Sequence, residues 1–118
     1  MILVEKLKDE NPGGRCYAAE ELGHIGDVSA IPYLIELLGD DHQEVRSSVA
    51  RALGEIGHQS ALAALLKSLS DPVGSVRVWV VYAIEQVGVS NQDVIQGLIV
   101  VLQDSEWFVR SRAVIGLG

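Results

Sequence analysis

Val45-Arg46-Ser47-Ser48-Val49-Ala50-Arg51-Ala52-Leu53-Gly54-Glu55-Ile56-Gly57 is a pattern that this chain of 118 residues writes more than once. Thirty-one residues earlier stands Gly14-Arg15-Cys16-Tyr17-Ala18-Ala19-Glu20-Glu21-Leu22-Gly23-His24-Ile25-Gly26. Thirty-one residues later stands Val76-Arg77-Val78-Trp79-Val80-Val81-Tyr82-Ala83-Ile84-Glu85-Gln86-Val87-Gly88. A fourth copy, Val109-Arg110-Ser111-Arg112-Ala113-Val114-Ile115-Gly116-Leu117-Gly118, closes the sequence. Self-similarity at such a period is the mark of a stacked array of small units.

Apolar spacing sets the type of unit. Val45, Val49, Ala52, Leu53 and Ile56 recur at helical intervals, as do Val76, Val80, Ala83, Ile84 and Val87. Upstream of them lie shorter stripes: Ile31, Leu34, Ile35 and Leu38, then Leu62, Leu65, Leu66 and Leu69, then Ile95, Leu98, Ile99 and Leu102. Both kinds read as amphipathic helices. Ser29, Ser60 and Asp93 are candidate N-caps of the shorter helices, and Pro32 suits a first turn, where a missing N–H costs little. Near the start, residues 3–8 suggest a short helix. Asn11-Pro12-Gly13-Gly14 reads as a turn, with the next helix from about Arg15 to His24. Two extra residues in the third unit fall in Val89-Ser90-Asn91-Gln92, between helices. Neither helix of a pair can bury its stripe alone, so neighbouring pairs must stack. The expectation is an all-α, right-handed α-solenoid of about four units of 31–33 residues. They form a single domain over 1–118, with units near 1–26, 27–57, 58–88 and 89–118. The short first helix and the early stop at Gly118 fit either trimmed terminal helices or a piece of a longer array.

Composition narrows the function. Hydrophobic residues make up 48% of the chain, enough for a sizeable core, and the net charge is −7. That balance argues against nucleic acid, which needs clustered cations. Residues 1–58 hold 11 acids against 5 bases, whereas residues 59–118 hold 5 against 4. The single cysteine, Cys16, suits a reducing cytoplasm, and no apolar run is long enough for a membrane span.

One charged pattern is strictly periodic. Asp9, Asp40, Asp71 and Asp104 each precede by six residues Arg15, Arg46, Arg77 and Arg110. The aspartate can accept amides at the start of the longer helix, and the arginine can fork onto carboxylates of its own and the adjoining unit. Four equal copies suit a structural ladder and not a catalytic pair.

The pattern Asp-x5-Arg followed by Ala-x-x-x-Leu-Gly-x-Ile-Gly, which Asp40 to Gly57 follows best, resembles the HEAT-like repeats first grouped with phycobilisome lyases. Arg15 lacks the usual preceding valine, and Glu85 stands at the glycine position of Gly54. The resemblance implies a helical solenoid. Its members include bilin lyase subunits, deoxyhypusine hydroxylases, DNA-repair glycosylases and non-catalytic scaffolds. The hydroxylases use adjacent His-Glu pairs as iron ligands, and this chain has no His-Glu dipeptide. The glycosylases bind DNA in a basic groove, which a charge of −7 disfavours.

In such a stack the longer helices line the concave face. Positions outside their core stripes form columns: Cys16, Ser47, Val78 and Ser111; Tyr17, Ser48, Trp79 and Arg112; Glu20, Arg51, Tyr82 and Ile115; His24, Glu55 and Gln86. The third copy is almost wholly apolar and presents Val78, Trp79 and Tyr82 to this face. Burying a tryptophan removes roughly 150–250 Å² from water, worth on the order of 4–6 kcal/mol before ordering costs. An exposed salt bridge is worth about 0–1 kcal/mol. Aromatic anchors therefore outrank charges as the basis of binding, unless these rings fold back on their neighbours. Trp107 and Phe108, in the last turn between helices, would cap the stack or extend the apolar face. Glu20 and His24 share a helix face, but no further ligands accompany them, so neither a metal nor another cofactor is expected. Cys16 has no histidine partner and reads as a surface thiol.

The reading is a non-catalytic module holding a protein partner, a helix or an extended segment, on Tyr17, Glu20, Ser48, Arg51, Glu55, Val78, Trp79, Tyr82, Gln86, Arg112 and Ile115. Two alternatives stay open. One is a bilin lyase subunit or chromophore chaperone, stacking a tetrapyrrole on Trp79, Tyr82 and Tyr17 with Arg51 or Arg112 on its propionates. The other is a homodimer through the same patch.

Overall fold

The repeated motif folds as the second helix of a pair in a computed structural model, which describes residues 2–118. α1 (Ile2–Lys6), α3 (Ile31–Leu37), α5 (Leu62–Lys67) and α7 (Gln92–Val101) are the first helices. α2 (Pro12–Ile25), α4 (Gln43–Ile56) and α6 (Gly74–Val87) are second helices of 14 residues each, and α8 (Trp107–Leu117) has 11. There is no strand among the described residues. Gly26, Gly57 and Gly88 end α2, α4 and α6 at φ between 67° and 76°, a left-handed conformation that only glycine adopts freely. Their amides return to the carbonyls of Leu22, Leu53 and Ile84, closing each helix end.

The second helices lie side by side, α2 on α4, α4 on α6 and α6 on α8, while each first helix packs on its own partner. The result is a two-layered α-solenoid of 39 × 25 × 18 Å. Its core lies between the layers, where Leu22, Leu34, Leu53, Leu65 and Ile84 are all but inaccessible to solvent. Ala50 and Val81 are also fully buried, because they face the adjoining second helix. The second-helix layers touch closely at Gly23 and Gly54. A Cβ there would stand 2.8 Å from the Cα of Ala52 and 2.9 Å from that of Ala83, respectively.

Local starts differ from the sequence expectation in a consistent way. α2 begins at Pro12 and not at Arg15, because Asn11 caps it: its side chain accepts the Gly13 amide at 2.8 Å, and Pro12 occupies the first turn. The caps before α3, α5 and α7 are Asp27, His58 and Asn91, two residues ahead of Ser29, Ser60 and Asp93. Asp27 accepts the amide and hydroxyl of Ser29, and His58 Nδ1 accepts the amide of Ser60. The extra turn is a short 3-10 helix, Val28–Ala30 or Gln59–Ala61, which the periodic pattern does not signal. In α7 the buried stripe is Val94, Leu98 and Val101; Ile95 and Ile99 are exposed.

The Asp–Arg ladder joins adjacent pairs. Arg15 Nε and Nη2 donate to Asp40 at 2.9 and 3.1 Å, Arg46 to Asp71 at 2.8 and 3.3 Å, and Arg77 to Asp104 at 2.7 and 2.9 Å. Within its own repeat each arginine reaches not the aspartate's carboxylate but its backbone carbonyl, at 2.6–2.8 Å. The carboxylate is already engaged, accepting the amide two residues on: Asn11, His42, Val73 or Glu106. Each interior aspartate therefore caps a turn and receives a bidentate fork from the preceding repeat.

Two of these carboxylates have shifted acidities. At Asp40 burial opposes ionisation, but hydrogen bonds from Arg15 and the His42 amide outweigh it and hold the carboxyl below its usual range. Hydrogen bonding from Arg77 does the same for Asp104, against burial. A depressed folded-state value means that the unfolded chain takes up the proton first. The stabilisation is thus complete above about pH 4, the ordinary carboxylate value, and is lost as pH falls further. Urea midpoints are expected to drop steeply below pH 4, and Asp104→Asn is expected to flatten part of that drop. A wild-type midpoint unchanged between pH 5 and pH 3 would contradict the assignment.

Candidate functional site on the second-helix face

Because all four first helices pack on one side of the second-helix layer, its other side is left uncovered. Helical geometry places positions 48, 51 and 55, and their equivalents, on that side. Apart from Ile115 the side chains there are polar or aromatic, and the structure joins several of them into one cluster around α6.

Trp79 and Tyr82, one helical turn apart, meet edge to face with ring centroids 5.3 Å apart and planes at 85°. The guanidinium of Arg51, from α4, lies over Trp79 at 5.4 Å from its centroid, and that of Arg112, from α8, lies over Tyr82 at 5.4 Å. Two cations thus bracket an aromatic pair, each against a π face that attracts positive charge. Val78, Trp79, Tyr82 and Arg112 line a shallow depression, and all four are half-buried. The rings do not stand free, as the sequence suggested. They fold partly onto their neighbours, which fixes their orientation and leaves less new area to bury.

The charges are paired. Arg112 Nη2 donates to Glu85 at 2.6 Å, while its buried Nε has no hydrogen-bond partner among the described residues. Arg51 Nε stands 3.7 Å from Glu55, which also lies 3.9 Å from His24 Nε2. Ser48 donates to Glu20 at 3.4 Å on the neighbouring helix. Tyr17 and Ile115, exposed at 56% and 57%, and the exposed Gln86 join none of these contacts. Tyr17 lies on α2, separated from α6 by α4. Cys16 is half-buried and packs against the core, and so is not a surface thiol. Among the described residues, no three His, Cys, Asp or Glu side chains are grouped to hold a metal.

Glu85 is the functional neighbour that sequence reasoning left out. It occupies the position that is glycine in the first two repeats, and Gly116 stands at the position of Ala52 and Ala83, the residues that those glycines face. The bulk has moved from one helix to the other, and the added carboxylate holds Arg112 over Tyr82. Glu85 and Gly116 also border a crevice between α6, α7 and α8, lined by Ile84, Val94 and Leu98.

The model for HEAT repeats matches residues 1–85. The chain belongs to the HEAT-repeat family. Among solved structures, this HEAT-repeat chain is similar to the complex of CpcE and CpcF of phycocyanin lyase from Nostoc sp. PCC7120. The TM-score is 0.84 at 25% identity, over 98% of this chain and 50% of that one. It is also similar in fold to a designed armadillo repeat protein in complex with the peptide (KR)4. Here the TM-score is 0.73 at 21% identity, over 98% of this chain and 61% of that one. An engineered protein matches with a TM-score of 0.72 at 23% identity, over 98% and 59%. The chain thus spans about half to three-fifths of the length of these structures. No curated protein matches it in sequence. No helix among the described residues is long and apolar enough to cross a membrane.

Proposed function

We propose that this HEAT-repeat module is a non-catalytic scaffold that holds another protein, as a helix or extended segment, on the concave face of its second helices. The supporting observation is the Arg51–Trp79–Tyr82–Arg112 cluster: a preorganised aromatic pair beside a shallow depression, on the side of the second-helix layer that no described helix covers. Rings held in place lose little rotational freedom on binding, and arginine with aromatic residues is the composition of interface hot spots. An apolar side chain of the partner would enter the depression. Its backbone carbonyls would accept from the outer N–H groups of Arg51 and Arg112. Ser48, Glu20, Glu55 and Gln86 would form the polar rim, with Tyr17 and Ile115 as further contacts.

The bilin-handling alternative draws on the similarity to the CpcE–CpcF complex. The perpendicular setting of Trp79 and Tyr82, and the distance of Tyr17 from them in the helix order, weigh against a single flat platform for a tetrapyrrole.

The test is affinity capture from host lysate by wild type and by Trp79→Ser/Tyr82→Ser, with helicity of the variant checked by circular dichroism. A partner held by wild type and lost at least tenfold with the variant supports the proposal, since losing aromatic anchors removes about 2 kcal/mol or more. Equal capture by both overturns this site. Mixing wild type with a bilin and recording visible absorbance separates the second reading: a red shift abolished by the variant would favour chromophore handling.

A further inference from the structure

The two arginines that bracket Trp79 and Tyr82 are not equivalent. Arg112 is fixed: its Nη2 donates to Glu85 at 2.6 Å, and its side chain is 28% exposed. Arg51 is held more loosely. Its side chain is 47% exposed, and its Nε stands 3.7 Å from Glu55, too far for a hydrogen bond. Arg15, Arg46, Arg77, Arg110 and Arg112 each donate to a carbonyl or a carboxylate, whereas Arg51 makes no hydrogen bond among the described residues. It lies on α4, between α2 and α6, so this openness belongs to the middle of the second-helix layer.

The charge around the depression selects what can enter it. A partner cation is poorly served: the rings that would attract one already carry Arg51 and Arg112. The nearby carboxylates also face cations of the chain, Glu85 on Arg112 and Glu55 between Arg51 and His24. The net charge of −7 favours basic partners at a distance, but at physiological ionic strength such a field is screened within about 8 Å, so the local pairing decides. An anion meets the reverse situation. Forked N–H donors without a hydrogen bond stand beside an apolar surface made by Val78, Trp79 and Tyr82.

We infer that the partner segment presents an acidic side chain, Asp or Glu, beside its apolar anchor: the anchor enters the depression and the carboxylate lies on Arg51. The inference rests on the concave site proposed above and names the chemistry of its occupant. Two residues along an extended segment, or one turn along a helix, set side chains of one face about 5–7 Å apart. That spacing matches the 5.4 Å between the Arg51 guanidinium and the centroid of the Trp79 ring that lines the depression. A guanidinium has five N–H donors, enough for a carboxylate and a backbone carbonyl together.

The experiment is selection of a displayed random-peptide library on wild type, Arg51→Gln, Arg51→Glu and Trp79→Ser/Tyr82→Ser, with the enriched peptides sequenced. Wild type should enrich an apolar residue with Asp or Glu two to four positions away. Arg51→Gln should keep the apolar residue and lose the acidic one. Arg51→Glu should enrich Lys or Arg in its place, a reversal that a damaged fold does not produce. In an anisotropy titration, replacing the acid of a dye-labelled selected peptide by its amide should weaken binding to wild type about fivefold, the loss of a partly exposed charge-assisted contact. The same replacement should leave binding to Arg51→Gln unchanged. An apolar residue enriched without an acidic one, or an acidic preference that survives in Arg51→Gln, overturns the inference and leaves the concave site standing. No enriched apolar residue, or peptides that bind Trp79→Ser/Tyr82→Ser as well as wild type, overturns the site and the inference with it.

Discussion

Arg77→Ala is expected to lower the unfolding free energy by about 3 kcal/mol, the cost of stripping one partner from a largely buried ion pair. The side chains of Arg77 and Asp104 are 12% and 9% exposed, and the fork between them has arms of 2.7 and 2.9 Å. Removing the guanidinium strands Asp104 in a site where burial already opposes its charge, and releases the Asp71 carbonyl, which Arg77 also satisfies at 2.8 Å. An unpaired buried acceptor adds to the loss. Lysine would restore charge but not the planar two-armed geometry, so Arg77→Lys should recover less than half. The damage has an address. Repeats are coupled mainly to their neighbours, and Arg77 joins α5–α6 to α7–α8, so the latter pair should loosen first. Hydrogen exchange is expected to show lost protection in α7 and α8 while α2 and α4 keep theirs. Uniform loss across all helices would count against a nearest-neighbour ladder.

Gly54→Leu is the second large effect, with an expected net loss of about 2 kcal/mol or more. Leucine is a better helix former than glycine by roughly 0.8 kcal/mol, so intrinsic propensity predicts stabilisation. Packing predicts the reverse. A Cβ at Gly54 would lie 2.9 Å from the Ala83 Cα and 3.0 Å from Tyr82 Cε2, and backbone cannot step aside as a flexible side chain can. Overpacking of this kind costs about 1–3 kcal/mol even after relaxation, occasionally more. Gly116→Ala is the internal control. Its Cβ would meet only Leu98 Cδ1, at 3.4 Å, so propensity should win and stability should hold or rise by up to about 1 kcal/mol. Thermal unfolding of both variants checks the pair of signs. Because Tyr82 is among the atoms displaced, Gly54→Leu should also disturb the Trp79–Tyr82 pair, visible in near-ultraviolet circular dichroism.

The architecture was legible because it is written redundantly. One motif with an apolar stripe, an Asp-x5-Arg and a terminal glycine specifies a helix, its stop and its neighbour, and three or four copies leave little freedom. What stayed illegible is local or comparative. Asn11-Pro12-Gly13-Gly14 has the composition of a turn, yet one cap hydrogen bond from Asn11 turns Pro12 into a first helical residue. The 3-10 turns moved the caps from Ser29 and Ser60 to Asp27 and His58 for a similar reason: a side-chain acceptor two residues earlier takes the amide of the serine itself and starts the turn there. At the candidate site, Trp79 and Tyr82 were visible as departures from polar columns. Their half-burial was not, because it depends on Arg51 and Arg112 reaching over from helices that are neighbours only in space. Glu85 could have been found by asking why a glycine position carries a carboxylate, and which arginine in the next repeat lies within its reach.

The most direct measurement is a titration. Dye-labelled peptides selected from a displayed library on immobilised wild type would be titrated by fluorescence anisotropy against wild type and Trp79→Ser/Tyr82→Ser, both carrying Trp107→Phe so that Trp79, followed with unlabelled peptide, is the sole tryptophan in the reference protein. Selected peptides are expected to shift Trp79 emission on saturation and to lose at least tenfold in affinity with the double variant. Peptides that bind both proteins equally and leave Trp79 emission unmoved would contradict this.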